Sequence, residues 1–299
     1  MADKYNMTSV YTPKTLYELT GAMAKNSNAV LVGGATDIMS SSDYFESRHD
    51  HDWILTGNVT ELQKVYHSER YLEVGSAITV QQLLTTGAIA LSKEVYRALS
   101  SISTSIIRNQ MTLGGALFTK NTRYALSCIF ATIGASCELK VLQRRGRNGR
   151  RITTSTKWIP VSKLYNEDGS LVYDKDVILT RIRIPVLNEG RQIFITLGDP
   201  KHNPDEAVFL GMQYKLEQNA IVNPDMCIAF PKGGFISSWE SNVTSLNFPA
   251  EVRNVEMTAE AISSIVMQKC PDVSAIQCER LKRQYKAITY AINSEYLEG

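Results

Sequence analysis

A short apolar run that breaks directly into two glycines is the feature that most limits how this chain folds. Ala29-Val30-Leu31-Val32 has the length and branched content of a buried strand, and Gly33-Gly34-Ala35-Thr36-Asp37-Ile38 follows without a spacer. Small residues after a strand let backbone amides point outward with no Cβ in the way. A run of such amides suits an anion, above all a pyrophosphate. Thr36 and Asp37 add side chains able to reach phosphate and ribose. A tight structural turn with no ligand accounts for the same residues, and for this segment alone it is the simpler reading.

A second glycine pair repeats the theme. Ile106-Ile107-Arg108-Asn109-Gln110-Met111-Thr112-Leu113-Gly114-Gly115-Ala116 sets a hydroxyl before two glycines and precedes an apolar helix predicted over 125–135. A structural turn tied down by Arg108 and Asn109 explains this segment too. Neither segment has the G-x-G-x-x-G spacing of a Rossmann site, and neither carries the lysine of a P-loop.

Around these turns the pattern is α/β at first. Tyr11-Thr12-Pro13 opens a helical pattern with Leu16, Leu19, Ala22 and Met23 on one face. Strands are predicted at Trp53–Leu55 and Tyr71–Gly75, a helix cap at Thr79, and helical period over 93–103. A strand at Cys137–Leu142 leads into an arginine-rich turn. The alternation over 177–186 predicts a strand that stops at Pro185, at a domain boundary. Beyond it, 192–195, 207–216 and 226–230 read as an antiparallel group, followed by helices over 258–269 and 277–296. Strands followed by helices imply an α+β C-terminal third.

At their spacing, the two glycine segments together resemble the signature of the FAD-binding subunits of the xanthine dehydrogenase and carbon monoxide dehydrogenase family, the molybdenum hydroxylases. There the first turn reads approximately A-G-G-T-D-L and the second I-R-N-x-A-T-x-G-G-N. The resemblance extends through Thr12-Pro13 to Leu19, through Glu61 to Leu83, and through Asp176 to Pro185. It spans about 10–190 and continues only loosely to a terminal helix containing Lys282-Arg283-Gln284-Tyr285.

The resemblance implies an α+β chain. Its two-lobed FAD-binding domain, of the vanillyl-alcohol-oxidase type, would occupy 1–175, with lobes at about 1–58 and 59–175. An antiparallel sheet with helices would fill 176–299. The FAD pyrophosphate would lie between Val32, Gly33, Gly34, Ala35, Thr36, Asp37 and Ile38 on one side and Thr112, Gly114 and Gly115 on the other. Ile102 and Leu179 would pack the isoalloxazine; without the resemblance both read as core residues. The implied function is electron transfer from a [2Fe–2S] subunit through FAD to an acceptor such as NAD, beside a large molybdopterin-containing subunit. The cofactor carries the redox chemistry, so no acid–base residue and no metal ligand is nominated.

Three departures stand out. The family usually has Asn where this chain has Ala116, an Asp bonding the cofactor where it has Ala125, and often a Lys where it has Thr196. They keep open a flavin-free scaffold that retains the fold and has lost the cofactor.

Composition trims the remaining classes. A net charge of +2 over 299 residues does not suit a nucleic-acid or membrane-surface protein. No apolar run approaches the ~20 residues needed to span a bilayer, and the N-terminus lacks the apolar core of a signal peptide. Five scattered cysteines fit reduced thiols in a cytoplasm and lack the close spacing of a cluster or structural zinc site. Arg144 to Arg151 holds five arginines in eight residues; the RNA-binding reading competes with a solvated hairpin tip, which the near-neutral charge favours. His49-Asp50-His51-Asp52 reads as a surface loop, since no third ligand lies nearby.

Overall fold

The computed structural model describes residues 9–40, 51–119, 125–145, 151–173, 176–186, 190–200, 202–217, 220–231, 233–239 and 248–298. Its architecture is α+β, with three sheets in chain order. The first is parallel, in the order β1 (Val10–Tyr11), β3 (Trp53–Leu55), β2 (Val30–Val32). Helix α1 (Leu16–Lys25) packs on it with Leu19 and Met23 buried. The helix begins at Leu16 rather than at Pro13, because Thr15 is extended and its side chain accepts from the Glu18 amide.

The second sheet is antiparallel, in the order β4 (Val65–His67), β5 (Tyr71–Gly75), β8 (Val177–Pro185), β6 (Ser136–Arg145), β7 (Arg151–Pro160). On one face lie α2 (Val80–Thr86), α3 (Lys93–Ser101), α4 (Ser105–Gln110), α5 (Leu113–Leu117) and α6 (Leu126–Thr132), which share its main core. On the other, Leu62, Leu142 and Ile178 join Leu19 and Ile54 of the first lobe. This sheet is therefore the shared wall between the two lobes.

Strand β8, expected to begin the C-terminal domain at 176, is the middle strand of this sheet, paired with β5 on one side and β6 on the other. Alternation in a sequence reports that a strand is buried and leaves its neighbours open. The arginine-rich segment joins the long β6–β7 hairpin, which pairs as far as Arg145 with Arg151, while residues 146–150 lie outside the described ones.

A register shift between Glu138 and Leu139 lets Thr180 bulge from the ladder. The Thr180 hydroxyl donates to Glu138 Oε2 at 2.5 Å, and Arg181 grips the same carboxylate through Nε at 2.9 Å and Nη2 at 2.6 Å. Glu73 joins Arg181 to Arg183, whose guanidinium lies 4.1 Å from the Trp158 ring. Burial raises the Glu138 pKa, but the Arg181 and Thr180 bonds outweigh it and hold the carboxyl below its ordinary 4.5. Its contribution to stability is therefore complete above pH 4.5 and is lost as pH falls through the lowered folded value. With the Arg181 side chain 35% exposed, solvent screening discounts the pair, and Glu138→Gln should cost about 1–2 kcal/mol at pH 7. Urea unfolding across pH 7 to pH 3 checks this: the gap between parent and variant should close in acid, and a gap constant with pH would refute the assignment.

The third sheet is antiparallel, in the order β12 (Phe235–Ile236), β11 (Ala220–Ala229), β10 (Val208–Glu217), β9 (Arg191–Leu197). Alternation gives it two buried faces. Phe209, Cys227 and Ala229 turn toward α6, while Val208, Leu210 and Met212 turn toward α7 (Val252–Lys269) and α8 (Ala275–Glu298). Helix α7 starts six residues earlier than the sequence pattern suggests, since only its later turns carry the buried Ala259, Ile262 and Val266 close together. No described helix is long and apolar enough to cross a membrane.

Candidate functional site

The first glycine segment leaves β2 at the buried Val32, whose carbonyl accepts from the Thr56 amide at 2.9 Å. Ala35 then takes a left-handed backbone, with φ of 56°, before the 3-10 turn Ile38–Ser40. A left-handed residue is one half of the backbone alternation that builds an anion-binding nest. The amides of Gly33, Gly34, Ala35 and Thr36 find no protein acceptor among the described residues. Asp37 is partly buried and engaged within the protein. This donor set fits a phosphate or pyrophosphate.

The second segment differs from its expectation. Gly114 and Gly115 lie within the single-turn helix α5, capped by the buried Thr112, rather than in an open turn. Thr112 Oγ1 accepts from the Gly115 amide at 3.1 Å, and the Gly114 and Leu113 amides donate to Ser76 and Ile78 carbonyls, each at 2.8 Å. All three amides donate to acceptors inside the protein. A hydroxyl before two glycines reads alike as a turn or a helix start; the strand-end loop at Ser76 decides between them.

The two segments meet. A Cβ added to Gly33 would lie 2.2 Å from Thr112 Oγ1, and one added to Gly34 would lie 1.5 Å from the Gln110 carbonyl oxygen. No side chain fits either position, so contact between the lobes demands both glycines whether or not a ligand binds. Gly114 is likewise closed off by Ser76, with an added Cβ 2.7 Å from the serine Cβ. Ser76 and Gln110 escaped the sequence reading because they act through backbone carbonyls, which any residue supplies.

Ile102 at the end of α3 and Leu179 in β8 are 5% and 6% exposed and belong to one core cluster. The three departures separate in space. Ala116 is buried within α5, whereas Ala125 and Thr196 line one cavity of about 220 Å³ where α3, α6, β9 and β10 meet. Ala98, Ser101, Cys128 and Phe194 contribute to its wall, and no charged side chain does so among the described residues. The Cys128 thiol donates to the Cys227 carbonyl at 3.2 Å, and burial raises the Cys227 pKa.

Other sequence candidates fall away from these segments. Asp52 accepts from the Ser9 amide at 2.9 Å, tying β1 to β3, and His49 and Asp50 lie outside the described residues. Among the described residues no group of three or more His, Cys, Asp or Glu is arranged to hold a metal.

Comparison with known proteins accounts for the fold and the paired segments. Residues 4–187, more than half of the chain, match the family described as the FAD binding domain in molybdopterin dehydrogenase. The chain is 24% identical over 186 residues to the putative xanthine dehydrogenase FAD-binding subunit XdhB of Escherichia coli K12. That match covers 60% of this chain and 59% of the relative. It is 20% identical over 206 residues to the xanthine dehydrogenase of Emericella nidulans, covering 66% of this chain and 14% of that protein. In structure it is similar to a chain of quinoline 2-oxidoreductase from Pseudomonas putida 86, with a TM-score of 0.74 and 16% identity, covering 98% of this chain and 97% of that one. A chain of carbon monoxide dehydrogenase from Hydrogenophaga pseudoflava gives a TM-score of 0.74 at 13% identity, with 94% of each chain covered. The match over 4–187 takes in both lobes, both glycine segments and the whole of β8, and on that ground the chain belongs to the FAD-binding domain family of the molybdopterin dehydrogenases.

Proposed function

We propose that this chain is the electron-transferring FAD subunit of a cytoplasmic molybdenum hydroxylase complex. It takes electrons from a [2Fe–2S] subunit, docked beside a molybdopterin-containing large subunit, and delivers them to an acceptor such as NAD. The observation that carries the reading is the first glycine segment: a left-handed Ala35 and a row of uncommitted amides pressed against the second lobe, within a chain of an FAD-binding family. FAD, when bound, supplies the one- and two-electron chemistry.

The remaining work falls to the protein. The amides of Gly33 to Thr36 would neutralise the pyrophosphate without a lysine, and Thr36 and Asp37 would meet the ribose side. Thr112 would act on the opposite side through its buried hydroxyl, while Gly114 and Gly115 give close packing instead of donors. Ile102 and Leu179 would exclude water at the ring. The division of labour between residues 1–186 and the C-terminal sheet with its two helices belongs to the same proposal.

Titration of the purified chain with FAD, followed by visible absorption and flavin fluorescence, tests it. Saturable one-to-one binding with a perturbed flavin band is expected. A chain that leaves the flavin band and fluorescence unchanged at millimolar FAD, alone and with its partners, would instead be a scaffold that kept the fold and lost the cofactor.

A further inference from the structure

Arg108 lies in α4, within the second glycine segment, and its bonds reach well beyond its own helix. Its Nη1 donates to three carbonyls: Ser100 at 2.7 Å, Ile102 at 3.2 Å and Ser103 at 2.8 Å. Its Nε donates to Gln81 Oε1 of α2 at 3.2 Å. The three carbonyls belong to the end of α3 and the residues that follow, where a helix leaves its last carbonyls without partners. Ser103 there holds a left-handed backbone, with φ of 55°. A non-glycine residue persists in that conformation when its surroundings over-determine it, and the guanidinium fork supplies the restraint.

The position of this clasp gives it a second consequence. The end of α3 places Ala98 and Ser101 in the wall of the cavity that Ala125 and Thr196 also line, and places Ile102 in the core beside them. Two residues after Arg108, the Gln110 carbonyl forms the floor against which Gly34 packs. One side chain thus fixes the cavity wall relative to the glycine segments. We infer that Arg108 is a positioning residue: it holds the α3 terminus, and through it the ring end of the cofactor site, in register with the pyrophosphate end. For what fills the cavity this inference rests on the FAD reading; for the restraint on α3 it does not.

Nη1 alone holds the three carbonyls, and lysine, with three donors on one nitrogen, could take its place; methionine keeps the length of the side chain and donates to none of the four partners. The full-length Arg108→Met variant is therefore compared with the parent by three measurements. Without ligand, amide hydrogen exchange over 99–104 should quicken at least tenfold while exchange over 112–117 stays as in the parent. With FAD, affinity should fall about tenfold and the visible flavin circular dichroism should change shape. Affinity for ADP, which shares only the adenosine and pyrophosphate end, should stay within twofold.

Unchanged exchange over 99–104 overturns the clasp itself. Equal loss of FAD and ADP affinity overturns the positioning role in favour of general loosening of the fold. If the parent binds neither ligand, the flavin reading fails, and the exchange result alone decides the clasp. Should the methionine variant not fold, Gln81→Leu removes only the Nε partner and should give the same pattern at smaller amplitude; parental exchange over 99–104 in that variant counts against the clasp.

Discussion

Replacing Gly34 with alanine is expected to lower FAD affinity at least a hundredfold and to destabilise the chain. The new Cβ would sit 1.5 Å from the Gln110 carbonyl oxygen and 2.5 Å from its carbon. Both atoms are backbone, so relief requires one segment to move away from the other. Overpacking of a closed contact costs about 1–3 kcal/mol and more where backbone must shift. A hundredfold loss of affinity corresponds to about 2.8 kcal/mol, and the displaced amides of Gly33 to Thr36 would account for it. Gly115→Ala is the matched control. Its Cβ would meet only the Thr112 hydroxyl, at 2.8 Å, and the position is exposed. Calorimetric titration with FAD beside thermal unfolding separates the two variants. Equal affinities for Gly34→Ala and the parent would place the pyrophosphate away from this turn.

The second large effect concerns Ala125 and Thr196. Taken singly, Ala125→Asp restores a carboxylate that the family uses toward the cofactor, and tighter FAD binding would be the simple expectation. The structure alters it, because the same cavity has no charged side chain among its described residues, and Thr196 stands where the family often has lysine. A carboxylate added alone gains no cation from the described lining and loses part of its hydration. Ala125→Asp is therefore expected to weaken FAD binding about tenfold, or ~1.4 kcal/mol. Adding Thr196→Lys to it should recover that loss and bind at least as tightly as the parent. The four affinities form a double-mutant cycle, and additive effects within ~0.5 kcal/mol would show the two positions to be independent.

The core of the α+β fold was legible because local chemistry imposes it. Val30–Val32 and Trp53–Leu55 are short apolar runs that bury only as strands, and Thr79 sits where a hydroxyl caps a helix. The two glycine segments stood out because a glycine pair beside a strand has few other uses. The neighbours of each strand were not legible: β8 alternates in the same way whether it opens a domain or sits third in a five-stranded sheet, since alternation records two faces and no partners.

At the site, composition and spacing identified which residues are small, while tertiary contact decided what their smallness serves. Gly34 is glycine because a carbonyl from 76 positions further along presses on it, and Gly115 is tied to its own helix cap. The departures at Ala125 and Thr196 are 71 residues apart in the chain and looked like separate losses; they became one feature only when α6 and β9 brought them to the same cavity. Sequence acts on the conformations of neighbouring residues directly, whereas carbonyl oxygens and cavity walls have no residue code, so their placement waits on the packing of the sheets.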